Sequence, residues 1–219
     1  MHVVIKFNNI IVFTIVFVLH ISTTACFSTP TNKNKTNRTT TLDSSYHYAS
    51  NDLERLKAYA TKAKAYNLQH NYASNICFLI DMQLTSGKNR FFVYDMNKDS
   101  VVLAGVVAHG AGGDFFTAEP RFSNTPNSKC SSLGKYKIGK KYEGNYGTAY
   151  KLYGLDASNS NAFNRFIVLH GYECVPDEAP DPLPICNSLG CPMVSFNFLK
   201  KLSTYIDQSD KPILLWIFN

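Results

Sequence analysis

Polar and apolar residues after position 50 recur with the spacing of a helix. Apolar side chains repeat every three or four residues, which places on one helical face Leu53, Leu56, Ala60 and Ala63. Asn51 is followed three residues later by Glu54, a pattern that resembles a capping box and predicts that the helix begins near Asp52. We therefore expect the folded domain to open with a helix.

Short apolar runs bounded by turn residues follow this helix and predict strands. The last segment, "KPILLWIFN", closes the chain as a strand. The other predicted strands cover residues 77–82, 90–96, 100–109, 134–142, 148–155 and 165–171. A second helical pattern begins at Ser195, and its apolar face is formed by Phe198, Leu199, Leu202 and Ile206. The pattern as a whole predicts a mainly β fold with a leading helix and one helix directly after Cys191.

The N-terminus has the order of residues that is typical of an export signal. A single positive charge, Lys6, precedes the apolar run 10–19, which is too short for an ordinary membrane-spanning helix. Residues 1–26 are therefore interpreted as a signal peptide, with a retained anchor as the alternative. The end of this segment, "TTAC", resembles a lipoprotein box in which Cys26 would be lipidated, although Thr23 stands where a larger aliphatic residue is usual. Cys26 is thus either a lipidation site or a residue near an ordinary cleavage site.

Composition divides the rest of the chain into two parts. Residues 27–50 are rich in Thr, Asn, Ser and Lys and predict a flexible polar tether, whereas residues 51–219 form the folded domain. The whole chain is 45% hydrophobic and 17% charged, as expected for a globular protein. Its formal charge of +6 fits either an attraction to anionic surfaces or a solvated surface without such a role, and we expect no nucleic-acid partner. Nothing in the sequence specifies an oligomeric state.

Six cysteines leave more than one pairing open. An exported chain meets an oxidising compartment, so complete pairing of all six is the default expectation. If Cys26 is lipidated or removed, five remain and one thiol stays free. Cys174 and Cys186 bracket a proline- and acid-rich loop that they would staple, and the pair that would then remain is Cys77 with Cys130. By that count the free thiol is Cys191.

The surroundings of Cys191 in "NSLGCPMVSF" suit a nucleophile. Such a cysteine needs a base, positive potential and N–H donors for an oxyanion. Gly190 lets the backbone approach a reacting carbonyl, and the amides of Gly190 and Cys191 would point into one small site. The helix expected directly afterwards would add the favourable field of its N-terminus.

His170 is the candidate base, because it ends the nearly continuous apolar run "RFIVLH" and strand ends present side chains to sites. Gly171 behind it would leave space for substrate. A structural role for His170 is an equally open reading. A zinc site built from His170, Cys174, Cys186 and Cys191 is chemically possible, but the chain has no tight C-x-x-C knuckle and we expect no metal.

His109 lies in the glycine-rich stretch "AHGAGGD". The missing lysine and the missing helix pattern argue against a P-loop for this stretch. His109 is therefore either part of a pocket wall or a residue of a plain turn.

Two of these motifs together resemble a known family. "VLHG" at Val168–Gly171 and "SLGCP" at 188–192, with seventeen residues between His170 and Ser188, are similar to the active-site signature of YkuD-type L,D-transpeptidases, in the branch of murein L,D-transpeptidase catalytic domain proteins. The stretches "FSNTPNSKCSSLGKYKIG" and "YEGNYGTAYKLYGLD" resemble the same branch. The resemblance covers residues from about 77 to 219.

This resemblance implies a β-sandwich or barrel catalytic domain in the bacterial cell envelope or periplasm, either free or anchored through Cys26. Cys191 would be the nucleophile and His170 its base, while Ser188, Gly190 and Gly171 would shape the turn and the oxyanion site. His109 and Tyr172 are the candidates for the substrate pocket. No metal or organic cofactor is implied.

The implied substrates are peptidoglycan stem peptides. The cysteine would attack the bond after the diamino acid, release the terminal D-alanine and pass a thioester-linked acyl group to an amine, as an L,D-transpeptidase, or to water, as an L,D-carboxypeptidase. Leu189 stands where the wider family usually has a His, and Pro192 and Met193 stand where a polar or basic residue is usual. A rival reading is a non-catalytic wall-binding domain in which all six cysteines pair.

Overall fold

The leading helix buries the face that its spacing predicts. In the computed structural model, which describes residues 48–114 and 117–219, helix α1 spans Ser50–His70 and buries Leu56, Ala60 and Ala63. The predicted capping box is wrong, because the helix already begins at Ser50 and its N-cap, Ala49, offers no side-chain oxygen. The expected signal peptide, and the expected tether up to residue 47, lie outside the described residues.

Eight strands and a second helix follow in the described part of the chain. The predicted strand 100–109 already ends at Gly105, and the predicted strand 165–171 begins only at Val168, since Phe166 is 83% exposed with a φ of 56°. Helix α2 spans Phe196–Asp207 and a 3₁₀ turn spans Ala157–Asn159. The strands are β1 Ile76–Asp81, β2 Phe91–Asp95, β3 Ser100–Gly105, β4 Gly134–Gly144, β5 Gly147–Gly154, β6 Val168–Gly171, β7 Met193–Val194 and β8 Leu214–Phe218.

The strands form one sheet in the order β3-β2-β1-β8-β4-β5-β6-β7. All neighbours are antiparallel except the pairs β1–β8 and β6–β7, which are parallel. The residues that follow β3 form a hydrogen bond with β7 at the other edge of the sheet. The amide of Ala108 donates to the carbonyl of Met193 at 2.8 Å. The sheet therefore curls until its edges meet, and the expected mainly β fold with a barrel-like sheet, a leading helix and a later helix is confirmed.

Alternation along the strands divides the core between the two helices. In β1, Phe78 and Ile80 belong to the cluster that contains the buried face of α2, whereas Cys77 and Leu79 belong to the cluster under α1. Because successive side chains of a strand point to opposite faces, the helices cover opposite sides of the sheet. None of the helices in the described ranges is long and apolar enough to cross a membrane.

One of the two expected disulfides is present. Cys174 and Cys186 are bonded, with their Cα atoms 6.1 Å apart. The second expected pair is wrong, because Cys77 and Cys130 are both buried free thiols. Cys77 lies in the sheet beneath α1, whereas Cys130 lies in the loop before β4, where its carbonyl contacts the Arg165 side chain at 2.6 Å.

Candidate active site

The parallel pairing of β6 with β7 brings His170 and Cys191 to neighbouring segments. His170 is opposite Met193 in the register, and Cys191 precedes Met193 by two residues. The Cys191 sulfur accordingly lies beside the strand, 3.5 Å from the amide nitrogen of Val168. Val168 precedes His170 by two residues in β6. The side chains of Val168 and His170 therefore leave this strand on the same face, about 7 Å apart along it.

One contact determines the tautomer of His170. The ring is buried, and Nδ1 lies 3.0 Å from the carbonyl oxygen of Gly171. A carbonyl only accepts, so Nδ1 carries the proton and donates it, which leaves Nε2 with a free lone pair. Burial lowers the pKa of His170 below its ordinary value, and the Gly171 carbonyl opposes this shift only in part. The ring is therefore neutral near pH 7 and able to accept a proton at Nε2.

Two tyrosines form a wall beside this histidine. The ring of Tyr146, which is 52% exposed, stacks on His170 with the ring centroids 5.1 Å apart. Tyr172 meets Tyr146 edge-on with centroids 5.4 Å apart, so this candidate pocket residue lies near the site. Tyr146 was not among the predicted site residues, although it lies in one of the family-like stretches.

The expected space behind Gly171 is filled. A Cβ at position 171 would lie 2.6 Å from the ring of Phe196, the first residue of α2. The missing side chain therefore makes room for a protein ring, and the prediction that Gly171 leaves space for substrate is wrong.

Cys191 carries a free, partly exposed thiol. Burial raises its pKa above the ordinary value, while the Val168 amide and the positive charge of Arg165 oppose the rise. The expected help from a helix N-terminus is absent, because β7 lies between Cys191 and α2 and the N-cap is Ser195. The thiol is thus protonated at neutral pH and needs a base.

Arg165 supplies the positive charge that the sequence motif lacks next to the cysteine. Its guanidinium donates to the carbonyls of Ser123 at 2.8 Å and Cys130 at 2.6 Å. It also donates to the Ser132 hydroxyl at 2.5 Å and the Ser128 hydroxyl at 3.2 Å. Arg165 therefore binds the loop before β4 to the site. It flanks an apolar run in the sequence, where nothing distinguishes it from a solvated strand end.

The turn before Cys191 is held by Ser188. Its hydroxyl donates to the Cys191 carbonyl at 2.6 Å and accepts from the Gly190 amide at 3.1 Å. Gly190 has a φ of +117°, and a Cβ there would lie 2.8 Å from the Cys130 carbonyl, so only glycine fits. Because the Gly190 amide already has an acceptor, the expectation that it points into the site is wrong.

His109 lies behind this turn. It is fully buried, its carbonyl accepts from the Ser188 amide at 2.8 Å, and the Ser188 carbonyl accepts from Ala111 at 2.8 Å. Its side chain is therefore closed to solvent, and its role as a substrate-pocket residue stays a prediction. Through these two backbone hydrogen bonds, the segment around His109 supports the turn at Ser188.

A buried arginine determines the state of His109. Nη2 of Arg90 lies 2.9 Å from its Nδ1, and the same guanidinium donates to the carbonyls of Val107 and Leu84 at 2.8 Å and 3.1 Å. Arginine has no acceptor, so Nδ1 of His109 must accept and its proton lies on Nε2. Burial and the Arg90 charge lower the pKa of His109 to about 4. Arg90 begins a predicted strand, and the sequence contains no signal of this contact.

Asn187 extends this series of polar side-chain contacts from His109 to the turn before Cys191. Its Nδ2 lies 3.1 Å from Nε2 of His109 and donates to the carbonyl of Thr117 at 3.1 Å. Its buried Oδ1 has no partner among the described residues. Asn187 directly precedes Ser188, so the polar chain from Arg90 ends at the cysteine turn.

Two of the four residues of the possible zinc site cannot bind a metal ion. Cys174 and Cys186 are joined in a disulfide, so neither offers a thiolate. The disulfide instead closes the loop that carries Val175 and Ile185, which pack together with Met193 in a small apolar cluster.

Comparison with known proteins shows the family. The family model described as "L,D-transpeptidase catalytic domain" matches residues 49–216, which include every site residue described above. The chain belongs to the L,D-transpeptidase catalytic domain family. No curated protein matches the chain.

Similar solved structures are distant in sequence. The Ldtfm–avibactam carbamoyl enzyme is 12% identical with a TM-score of 0.42, and the match covers 67% of this chain and 50% of that one. The helical cell shape determining protein Pgp2 from Campylobacter jejuni is 16% identical with a TM-score of 0.40, over 65% and 46% of the two chains. An L,D-transpeptidase from Xylanimonas cellulosilytica is 15% identical with a TM-score of 0.37, over 70% and 68%. This chain thus spans half the length of the first of these.

Proposed function

We propose that the chain is a cysteine-dependent L,D-transpeptidase that acts on peptidoglycan stem peptides through a thioester acyl-enzyme. Family membership supports this reaction class. The observation that carries the proposal is the pair of His170 and Cys191 on adjacent segments. His170 presents a free Nε2 lone pair, and Cys191 presents an unpaired thiol.

In the first step the Nε2 of His170 removes the thiol proton while the Cys191 sulfur attacks the carbonyl carbon of the diamino acid. The carbonyl oxygen becomes an oxyanion. The Cys191 amide, which has no acceptor in the described chain, is the candidate donor to that oxygen. When the C–N bond breaks, imidazolium His170 returns the proton to the nitrogen of the departing D-alanine, and the acyl group remains on sulfur.

In the second step an amine of a neighbouring stem peptide attacks the thioester carbonyl. His170 accepts the amine proton, the C–S bond breaks and the proton returns to the Cys191 sulfur. The products are a new amide and the free thiol. Attack by water in place of the amine would yield a carboxylate, and the protein would then be an L,D-carboxypeptidase.

The proposed location is the bacterial cell envelope. It rests on the export-type N-terminus and on a wall substrate, with Cys26 as the candidate lipid anchor. The mass of the mature N-terminal peptide from a native host tests this. A diacylated peptide that begins at Cys26 would support the anchor, and a mature chain without acyl groups would exclude it.

The rival wall-binding reading required that all six cysteines pair. Cys77, Cys130 and Cys191 are free thiols in the structure, so that requirement is not met.

Disaccharide-tetrapeptide is the substrate for the decisive test. Wild type should release D-alanine and show the mass of an acyl adduct on Cys191, and Cys191→Ala should do neither. Cys77→Ala, which removes a buried thiol beneath α1, is the matched control and should stay active. A cross-linked dimer among the products indicates transpeptidation, and a tripeptide alone indicates hydrolysis. Equal turnover by Cys191→Ala would remove this residue from the mechanism.

A further inference from the structure

A lysine-rich groove is lined by residues of β4 and β5. Its cavity volume is about 760 Å³, and the residues after α2 form its other wall. Its lining includes one carboxylate, Asp210, and five lysines: Lys137, Lys140, Lys141, Lys151 and Lys211. We call this cavity the lysine groove. At neutral pH it carries a strong excess of positive charge.

Few of these charges are neutralised within the described chain. Lys141 pairs with Asp207 at 3.3 Å. The ammonium groups of the other four lysines have no carboxylate partner in the described residues. Clustered like charges repel one another, and an anion bound among them would relieve that repulsion.

Aromatic rings hold two of the ammonium groups in place. Nζ of Lys137 lies 4.9 Å from the ring centroid of Tyr153. Nζ of Lys151 lies near two rings, 5.6 Å from the centroid of Tyr142 and 5.4 Å from that of Phe163. Cation–π contacts restrict both side chains before any ligand arrives, which reduces the entropy cost of binding an anion.

The lysine groove leads to the nucleophile. Lys151 is the register partner of Val168, and the Val168 amide lies 3.5 Å from the Cys191 sulfur. Tyr142, a lining residue, has a raised pKa because of burial and, in second place, because of the charge of Cys191. Lys151, at one end of the groove, therefore lies one strand away from the position that faces the thiol.

We propose that the lysine groove binds the carboxylates of the donor stem peptide, with Lys151 nearest to the bond that is cleaved. The inference rests on the proposed function, in which the leaving D-alanine carries a free carboxylate one residue from the reacting carbonyl. The restrained ammonium groups then select donors with free carboxylates over amidated ones.

Binding to the full chain with Cys191→Ala tests the groove without turnover. The probes are the stem tetrapeptide with free carboxylates and the same peptide with its carboxylates amidated. We expect the free acid to bind at least tenfold more tightly than the amide at low salt. Lys137→Gln with Lys151→Gln should abolish that difference and reduce the salt dependence of binding.

The matched control is Lys62→Gln. This lysine also lies over a tyrosine ring, 5.0 Å from the centroid of Tyr59, but it belongs to α1 and does not line the lysine groove. It should leave binding unchanged. An equal loss in the control, equal affinity for acid and amide, or no binding of the free acid would overturn the proposal. Tighter, lysine-dependent binding of poly(glycerol phosphate) would overturn it in favour of a phosphate polymer.

Failure of the groove and failure of the proposed function give different results. If wild type forms the acyl-enzyme but the lysine variants bind both peptides like the parent chain, the transpeptidase proposal stands and the groove proposal fails. If no acyl-enzyme forms while acid-selective binding depends on Lys137 and Lys151, the groove proposal stands and the reaction is wrong.

Discussion

The Nη2 atom of Arg90 lies 2.9 Å from Nδ1 of His109, and neither side chain is exposed to solvent. A charged guanidinium and a neutral imidazole thus stand together in the core, directly behind the turn that carries Cys191. The Arg90 donors satisfy three acceptors that would otherwise be buried without partners: Leu84 O, Val107 O and His109 Nδ1.

We expect Arg90→Leu to be strongly destabilising. Each buried acceptor left without a donor costs about 1–3 kcal/mol, so the free energy of unfolding should fall by roughly 3 kcal/mol or more. Urea unfolding of both proteins measures this. Arg121→Leu is the matched control, because its exposed side chain pairs at the surface with Asp114 alone among the described residues, and it should change stability by less than about 0.5 kcal/mol. A loss of similar size in both variants would contradict the role of the Arg90 contacts.

His109 should make the fold sensitive to mild acid. Its pKa is lowered to about 4 in the fold from an ordinary 6.5, so between these values the unfolded chain binds the extra proton. Stability is therefore complete above pH 6.5, falls as the pH decreases and has lost about 3 kcal/mol from this group near pH 4. Buried His170 shifts in the same direction and adds to the slope.

Urea midpoints between pH 4 and pH 8 measure this dependence. In His109→Gln the slope below pH 6.5 should be smaller than in the parent protein, although the variant is less stable at every pH. An unchanged slope would show that His109 is not the responsible group.

The pH dependence of Cys191 should reflect a neutral thiol and imidazole pair. The thiol pKa is raised above 9.0 and that of His170 is lowered below 6.5, both chiefly by burial. D-alanine release should therefore stay high between these values and fall only below pH 6.5 on the acid side. Alkylation of Cys191 by iodoacetamide should keep rising beyond pH 9. A plateau of alkylation already below pH 7 would indicate a preformed ion pair instead.

Replacing the base separates its chemical role from its structural one. His170→Asn keeps an N–H at the δ position that can donate to the Gly171 carbonyl but has no lone pair of imidazole basicity. We expect kcat/KM for D-alanine release to fall by about 10² to 10⁴ at pH 7. The urea midpoint should change little. Activity near that of the wild type would exclude His170 as the base.

Gly190 has a steric role that a second glycine can isolate. Gly190→Ala combines a φ of +117° with a Cβ 2.8 Å from the Cys130 carbonyl, whereas Gly113 has a φ of +108° and nothing within 4 Å of a built Cβ. Both substitutions carry backbone strain of about 1–3 kcal/mol. Only Gly190→Ala should displace the cysteine turn, and we expect its D-alanine release to fall at least tenfold while Gly113→Ala remains active. Equal activity of the two variants would contradict the steric role.

The sequence by itself determined both helices and seven of the eight strands, without β7, and named the central pair. The helical spacing of α1 and α2 and the apolar strands are local patterns, because a buried face must repeat with the period of its own element. The motifs around His170 and Cys191 are short and contiguous, so they too could be read without a fold. The loop disulfide was accessible for the same reason, since Cys174 and Cys186 are twelve positions apart.

Only the tertiary structure decided what surrounds that pair. Arg165 reaches the Cys130 carbonyl across 35 positions, and Arg90 reaches His109 across 19. These contacts depend on strand order and register, which the local pattern does not contain. Counting cysteines led to a free Cys191 through a second pair that does not exist, because pairing requires proximity in space. The lysine groove likewise exists only because β4, β5 and the residues after α2 meet in the folded chain.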